Sequence, residues 1–130
     1  MSKVFIKFKK GFKIGEVLSF TIEKGGYIFI GNDAACEVYL NCNDTSISKL
    51  HCSITFDGFG YYLFKNDSNY KTQVNNKSFI NVIKLSSNDK ITIGVNGVEF
   101  IFDSDPKSEK LYTPQKQKQS LLSKIFKGNR

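Results

Sequence analysis

Ser48 and Lys49 are the side chains of this sequence best suited to bind a ligand, because they stand together in a loop just before a predicted strand that begins at His51. A hydroxyl donor and an ammonium group next to loop amides can bind an anion such as a phosphate. Serine in a loop also commonly hydrogen-bonds the local backbone. Residue types alone favour the second interpretation, in which Ser48 and His51 brace their own loop.

The sequence contains no group of residues that would support catalysis. A Ser-His-acid triad would have to use His51, the single histidine, and no serine has the glycine pattern of a nucleophile elbow. Glycine-rich phosphate loops are absent. Asp44 and Asp57 are isolated acids near turns, where capping and solvation are the usual roles. We therefore expect no enzymatic activity and no cofactor.

The three cysteines, Cys36, Cys42 and Cys52, are an odd number, and their spacing matches no zinc pattern. We expect no bound metal and reduced thiols, as in a cytosolic protein. Lysines begin at Lys3 with no apolar signal segment after them, and no run approaches the length of a membrane span. These features predict a cytoplasmic protein without a transmembrane segment.

Short runs of alternating apolar and polar residues dominate the first 102 positions and predict strands. Glycine or asparagine separates neighbouring runs, and the connections around Asp57–Gly60 and Asn96–Gly97 favour hairpins. Such spacing is typical of an all-β sandwich, whose loops gather at its two ends. About ten strands are predicted, at residues 4–9, 17–23, 27–30, 37–40, 51–56, 61–64, 72–75, 78–80, 90–93 and 98–102.

Four short motifs follow one another along these predicted strands in a fixed order. They are Gly31 after a strand, Ser48-Lys49-Leu50-His51 before the next, the loop Ser68 to Asn76, and the segment Leu85 to Gly94. In order and spacing they resemble the forkhead-associated (FHA) domain from about residue 3 to residue 102. The resemblance implies a sandwich of about 11 short strands whose loops at one end hold a phosphothreonine peptide.

The resemblance also implies roles for individual residues. Ser48 would donate to the phosphate, Lys49 would add a basic group, and Asn69 takes a position from which a side chain can reach the phosphate. His51 and Gly31 would support the loops structurally rather than touch the ligand.

Three positions depart from the family pattern. Asn32 stands where the family has a phosphate-binding arginine, Tyr70 replaces an asparagine that grips the peptide, and Lys71 replaces a glycine. Losing the arginine removes a charge-assisted contact of about 1.5–3 kcal/mol, or roughly one to two decades of affinity. Lys71 or Lys49 can supply positive charge, although a lysine ammonium group cannot make the two parallel hydrogen bonds of an arginine. The predicted phosphopeptide-binding residues are Ser48, Lys49, Asn69, Asn32, Tyr70 and Lys71.

The last 28 residues differ in composition from the rest of the chain. Residues 1–102 carry 12 lysines and 9 acids, whereas residues 103–130 carry 7 basic residues and 3 acids together with both prolines. We predict a domain at 1–102 and a flexible basic tail at 103–130. Helical spacing of the apolar residues near its end predicts a short amphipathic helix at 117–127. Those residues are Leu121, Leu122, Ile125 and Phe126.

Two functions fit these features. The first is a protein-interaction module that recognises phosphothreonine on a partner protein through its loops. The second is a phosphate-independent adaptor or scaffold that keeps the sandwich, with the amphipathic tail docking on a partner or a membrane surface. Nucleic-acid binding has no support beyond the positive charge.

Overall fold

The computed structural model describes residues 2–95 and 97–105, and within these ranges all regular structure is β-strand. Eleven strands follow one another in this part of the chain, which confirms the all-β prediction. They are β1 (Ser2–Lys10), β2 (Val17–Ile22), β3 (Tyr27–Gly31), β4 (Val38–Tyr39), β5 (Cys52–Phe56), β6 (Tyr61–Lys65), β7 (Thr72–Val74), β8 (Lys77–Ser78), β9 (Val82–Leu85), β10 (Lys90–Ile93) and β11 (Val98–Ser104).

The strands form two sheets that pack face to face. One sheet has the order β2-β1-β11-β10-β7-β8, and the other has the order β4-β3-β5-β6-β9. Every pairing is antiparallel except that of β3 with β4. The architecture is therefore a sandwich, as the motif order implied.

Alternating residues of each sheet build the core between them. On β1, Val4, Ile6 and Phe8 are buried, whereas Lys3 faces solvent. Opposite them, Ile28 and Ile54 are buried on the second sheet. Removing such an aliphatic or aromatic side chain from water stabilises the fold by about 1.5–3 kcal/mol. The alternation of apolar residues therefore determines which face of each strand points into the core.

One strand lies where none was predicted. β9 pairs only with β6, and its four residues form the edge of the second sheet. Val82 and Lys84 point away from the core, so only Ile83 and Leu85 carry the apolar half of its alternation. Two apolar positions are too few to mark a strand in the sequence.

The predicted strand at 78–80 is shorter and earlier in the structure. β8 covers Lys77–Ser78 and forms a hairpin with β7. Asn75 and Asn76 adopt positive φ angles of 52° and 67° in the turn between them, a conformation that asparagine tolerates well. Asparagine at both positions therefore supplies the left-handed backbone that this tight turn needs.

The β4–β5 and β6–β7 loops lie at one end of the sandwich, where β3 and β10 also end. β3 ends there, β5 begins beside it with Cys52 opposite Ile30, and β6 ends with Lys65 opposite Cys52. β7 begins and β10 ends at the same level, with Thr72 opposite Ile93. We call this region the loop end.

The predicted tail helix at 117–127 and residues 106–130 as a whole lie outside the described residues. No helix in the described ranges has the length and apolar character needed to cross a membrane. All three cysteines lie inside those ranges, and none of them forms a disulfide.

Candidate functional site

Gly31 lets two loops of the loop end touch through their backbones. A Cβ atom at this position would overlap the carbonyl oxygen of Lys49. The close approach brings the Asn32 amide to 3.0 Å from the Ser48 carbonyl oxygen and the His51 amide to 3.0 Å from the Ile30 carbonyl oxygen. Gly31 therefore supports the site structurally.

His51 is buried behind Ser48 and joins two loops. Its Nδ1 accepts the Ser48 amide at 3.1 Å, and its Nε2 lies 2.8 Å from the Lys71 carbonyl oxygen. These partners require a neutral ring with the proton on Nε2. Burial lowers the pKa of His51, which favours that neutral form. The contacts fit the supporting role expected of this residue.

The hydroxyl of Ser48 already has a partner inside the protein. Ser48 Oγ donates to the carboxylate Oδ2 of Asp67 at 3.1 Å, across 19 residues of sequence. The other oxygen of Asp67 accepts the Asn69 amide at 3.1 Å. Asp67 thus ties the β6–β7 loop to the β4–β5 loop and occupies the donor that a phosphate would use.

Asn32 uses its side-chain amide to hold the loop that follows β4. Its Nδ2 donates to the Cys42 carbonyl oxygen at 2.5 Å, and its Oδ1 accepts the Cys42 amide at 2.9 Å. The nitrogen and the oxygen of the Asn32 side chain therefore both bond the backbone of Cys42. This geometry gives Asn32 a fastening role at the position where the family has an arginine.

These loops enclose an open cavity of about 590 Å³ at the loop end. Four of the six predicted ligand residues line it, namely Asn32, Ser48, Lys49 and Tyr70. The ring of Tyr70 lies edge-on to the His51 ring, with centroids 6.0 Å apart. Asn69 and Lys71 are exposed nearby on the β6–β7 loop but do not line the cavity.

The cavity also contains negative charge that sequence reasoning missed. Asp44 lines it, and hydrogen bonds from the Ser46 hydroxyl and amide lower the pKa of the Asp44 carboxyl. Asp44 thereby has the capping role expected of it, yet its charge also faces the ligand space. Asp67 adds a second carboxylate beside Ser48. The only sequence signal for Asp67 was its place in the loop before Ser68.

The family model described as FHA domain matches residues 28–94, which is just over half of the chain. This chain belongs to the FHA domain family. The matched range contains the β3–β4, β4–β5 and β6–β7 loops, and therefore every residue of the cavity. A search of curated proteins finds no match.

Solved FHA domains share the fold of this chain. One, from a structural and functional analysis of phosphothreonine-dependent FHA domain interactions, is 25% identical, with a TM-score of 0.64 over 82% of this chain and 99% of that one. The FhaA FHA domain complexed with the intracellular domain of Rv3910 is 24% identical, with a TM-score of 0.59 over 76% and 98%. An FHA domain of an Arabidopsis thaliana hypothetical protein is 21% identical, with a TM-score of 0.67 over 79% and 86%.

Proposed function

We propose that this FHA domain is a non-catalytic protein-interaction module that binds a phosphothreonine-containing segment of a partner protein in the loop-end cavity. The observation that carries the proposal is that Ser48, Lys49 and Tyr70 line one open cavity in a chain of this family. The FHA domain studied for phosphothreonine-dependent interactions supports it. So does the FHA domain solved with a partner's intracellular domain.

Each group would act on the phosphate through ordinary hydrogen-bond and charge chemistry. Ser48 Oγ would turn from Asp67 and donate to a phosphate oxygen. Lys49 is exposed at the cavity wall and would add a charge-assisted contact. Tyr70 offers a flat ring with a polar tip on which peptide backbone can rest. Lys71 and Asn69 would contact flanking residues from the β6–β7 loop.

The test is a binding titration with paired peptides that differ only in the phosphate on threonine. We expect the phosphorylated peptide to bind and the unphosphorylated one to bind at least tenfold more weakly. Ser48→Ala should weaken phosphopeptide binding by about 1.5–3 kcal/mol, the range for a hydrogen bond to a charged group. Equal affinity for the two peptides would sink the proposal, as would unchanged binding by a folded S48A variant.

A second function is favoured by the hydrogen bonds inside the cavity. Asn32 bonds Cys42 with both ends of its amide, and Ser48 donates to Asp67, so two ligand positions are already used within the protein. A phosphate-independent adaptor would need neither group for its ligand. Binding of one partner protein equally before and after phosphatase treatment, and equally by wild type and S48A, would establish this alternative.

A further inference from the structure

The free edge of β2 differs from the other three sheet edges in the described part of the chain. One sheet ends in β2 and β8, and the other ends in β4 and β9. β4 and β8 have two residues each, and the four-residue β9 carries the exposed Lys84. Short strands and edge lysines protect a sheet against pairing with another chain. β2 has six residues without a charge or a proline, and its register with β1 is unbroken, so it lacks this protection.

The backbone of β2 offers unused hydrogen-bonding groups at alternate residues along this edge. The Phe8 amide donates to the Glu16 carbonyl oxygen at 3.0 Å, which sets the alternation of bonds between β1 and β2. Even-numbered residues of β2 therefore bond β1, whereas odd-numbered residues turn their N–H and C=O groups to the free edge. These odd-numbered residues are Val17, Ser19 and Thr21, and their side chains are exposed on the outer face of the sheet.

The core is incompletely covered on the inner side of the same edge. Leu18 and Phe20 point inward and pack against the buried cluster, but both stay only half-buried. They remain so because β2 is the last strand of its sheet. A further strand beyond β2 would bond the free backbone groups and cover these two side chains at the same time.

A second copy of β2 fits this edge because the strand is complementary to itself. In an antiparallel pairing centred on Ser19, this residue faces Ser19 of the second copy, and Val17 faces Thr21. Both are hydrogen-bonded pairs of an antiparallel ladder, so each free N–H and C=O group of the three residues finds a partner. On the inner side, Leu18 lies opposite Phe20 of the second copy, and the two side chains cover each other.

The charges that flank β2 also match in this register. Glu16 comes directly before the strand, and Lys24 follows two residues after its end. Antiparallel pairing brings the start of one strand to the end of the other, which places Glu16 opposite Ile22 of the second copy. Lys24 is then its diagonal neighbour, within reach of a long side chain. By symmetry this attraction occurs at both ends of the paired strands.

We propose that the chain forms a two-fold dimer in which β2 pairs antiparallel with β2 of a second copy and joins two six-stranded sheets into one. β2 starts on the side of the loop end, because β1 runs antiparallel to it and ends beside the start of β11. The two-fold axis therefore places the two loop-end cavities at opposite ends of the dimer. The pairing uses no residue that lines the cavity, so a dimer has two open cavities and can bind bivalently.

Sedimentation velocity of the full chain at increasing concentration tests the proposal. We expect the wild type to show a reversible monomer–dimer equilibrium. Ser19→Lys and Ser19→Glu each place like charges directly opposite each other at the two-fold axis, and each should raise the dimer dissociation constant roughly fivefold or more. An equimolar mixture of the two variants should form a heterodimer at least as tight as the wild-type dimer. Ser78→Lys and Ser78→Glu are the matched controls on the exposed β8 edge and should leave the constant unchanged.

Three results overturn the proposal. The first is a wild type that stays monomeric at every concentration, which would leave the β2 edge to an extended segment of another protein or to no partner. The second is a dimer that both Ser19 variants leave intact, or that the Ser78 variants weaken equally. The third is a mixture of S19K and S19E that does not associate. Titration of the same Ser19 variants with phosphothreonine peptides reports separately on the proposed function, because Ser19 lies outside the cavity.

Discussion

The hydrogen bond between Ser48 and Asp67 is the residue-scale feature that matters most for binding. A serine expected to serve a ligand instead donates to a carboxylate of the neighbouring loop. An incoming phosphate must compete for that hydrogen and approach a negative charge. Under the proposed function, the Asp67 carboxylate, which bonds Ser48 but does not itself line the cavity, would therefore act against phosphate.

Asp67→Asn should strengthen phosphothreonine-peptide binding by about tenfold, equivalent to about 1.4 kcal/mol. The amide keeps an acceptor for Ser48 but removes the charge that repels the phosphate. Fluorescence anisotropy with a labelled phosphopeptide measures the change. Asp103→Asn is the matched control, since it removes the same charge on the outer face of β11, where Asp103 lies 4.0 Å from Lys7. A similar gain in both variants would show that net charge, and not Asp67, is responsible.

His51 predicts a pH dependence of stability. Its pKa is lowered in the folded protein by burial, so the unfolded chain binds a proton first as pH falls. The free energy of unfolding should be at its full value above the unfolded pKa near 6.5. It should decline as pH falls from there toward the folded pKa. Urea unfolding between about pH 7.5 and 5.5 measures this slope.

The control for that slope is His51→Asn, which removes the only histidine of the chain. This variant is expected to be less stable overall, because it loses contacts to the Ser48 amide and the Lys71 carbonyl oxygen. Its stability should nevertheless vary little over the same pH range. An equal slope in both proteins would contradict the assignment to His51.

At the scale of elements, the site depends on how closely β3 and the β4–β5 loop approach each other. Gly31 allows that approach, and the paired bonds of Asn32 to Cys42 hold the far side of the same loop. The predicted ligand residues are thus placed by a close backbone contact and by hydrogen bonds from a side chain to the backbone of a neighbouring loop.

Gly31→Ala should destabilise the fold by about 1–3 kcal/mol, the usual range for an overfilled site, because its Cβ would overlap the Lys49 carbonyl oxygen. Thermal or urea unfolding gives the value. Gly60→Ala is a suitable control, since its Cβ would meet the flexible end of Lys84 and no backbone. If the two variants lose equal stability, the close contact at Gly31 is not what constrains the loops.

The sequence predicted those strands whose position is determined by a local alternation of apolar and polar residues. Alternation and turn residues located nine of the strands and overlapped β8 only at Ser78, and the order of short motifs identified the FHA family that the comparison confirms. β9 was missed because only two of its residues face the core. The pairing of Ser48 with Asp67 joins loops 19 residues apart, and no spacing rule connects them. Likewise, the role of the Asn32 side-chain amide depends on its hydrogen bonds to Cys42, which no local sequence pattern predicts.

At the scale of the whole molecule, the chain separates a nearly neutral sandwich from a strongly basic segment that follows it. The predicted ligand residues lie at the loop end, and the described chain leaves from the opposite end at Asp105. Under the proposed function, a segment of the partner would meet the sandwich at the loop end.

The central claim is that the loop-end cavity binds phosphothreonine. Its most direct test is titration of the wild-type chain against a phosphothreonine peptide library and the matched unphosphorylated library. Both titrations are repeated with S48A. We predict binding only to the phosphorylated library and a clear loss in S48A. Equal binding to the two libraries, or phosphate-dependent binding that S48A leaves intact, would contradict the claim.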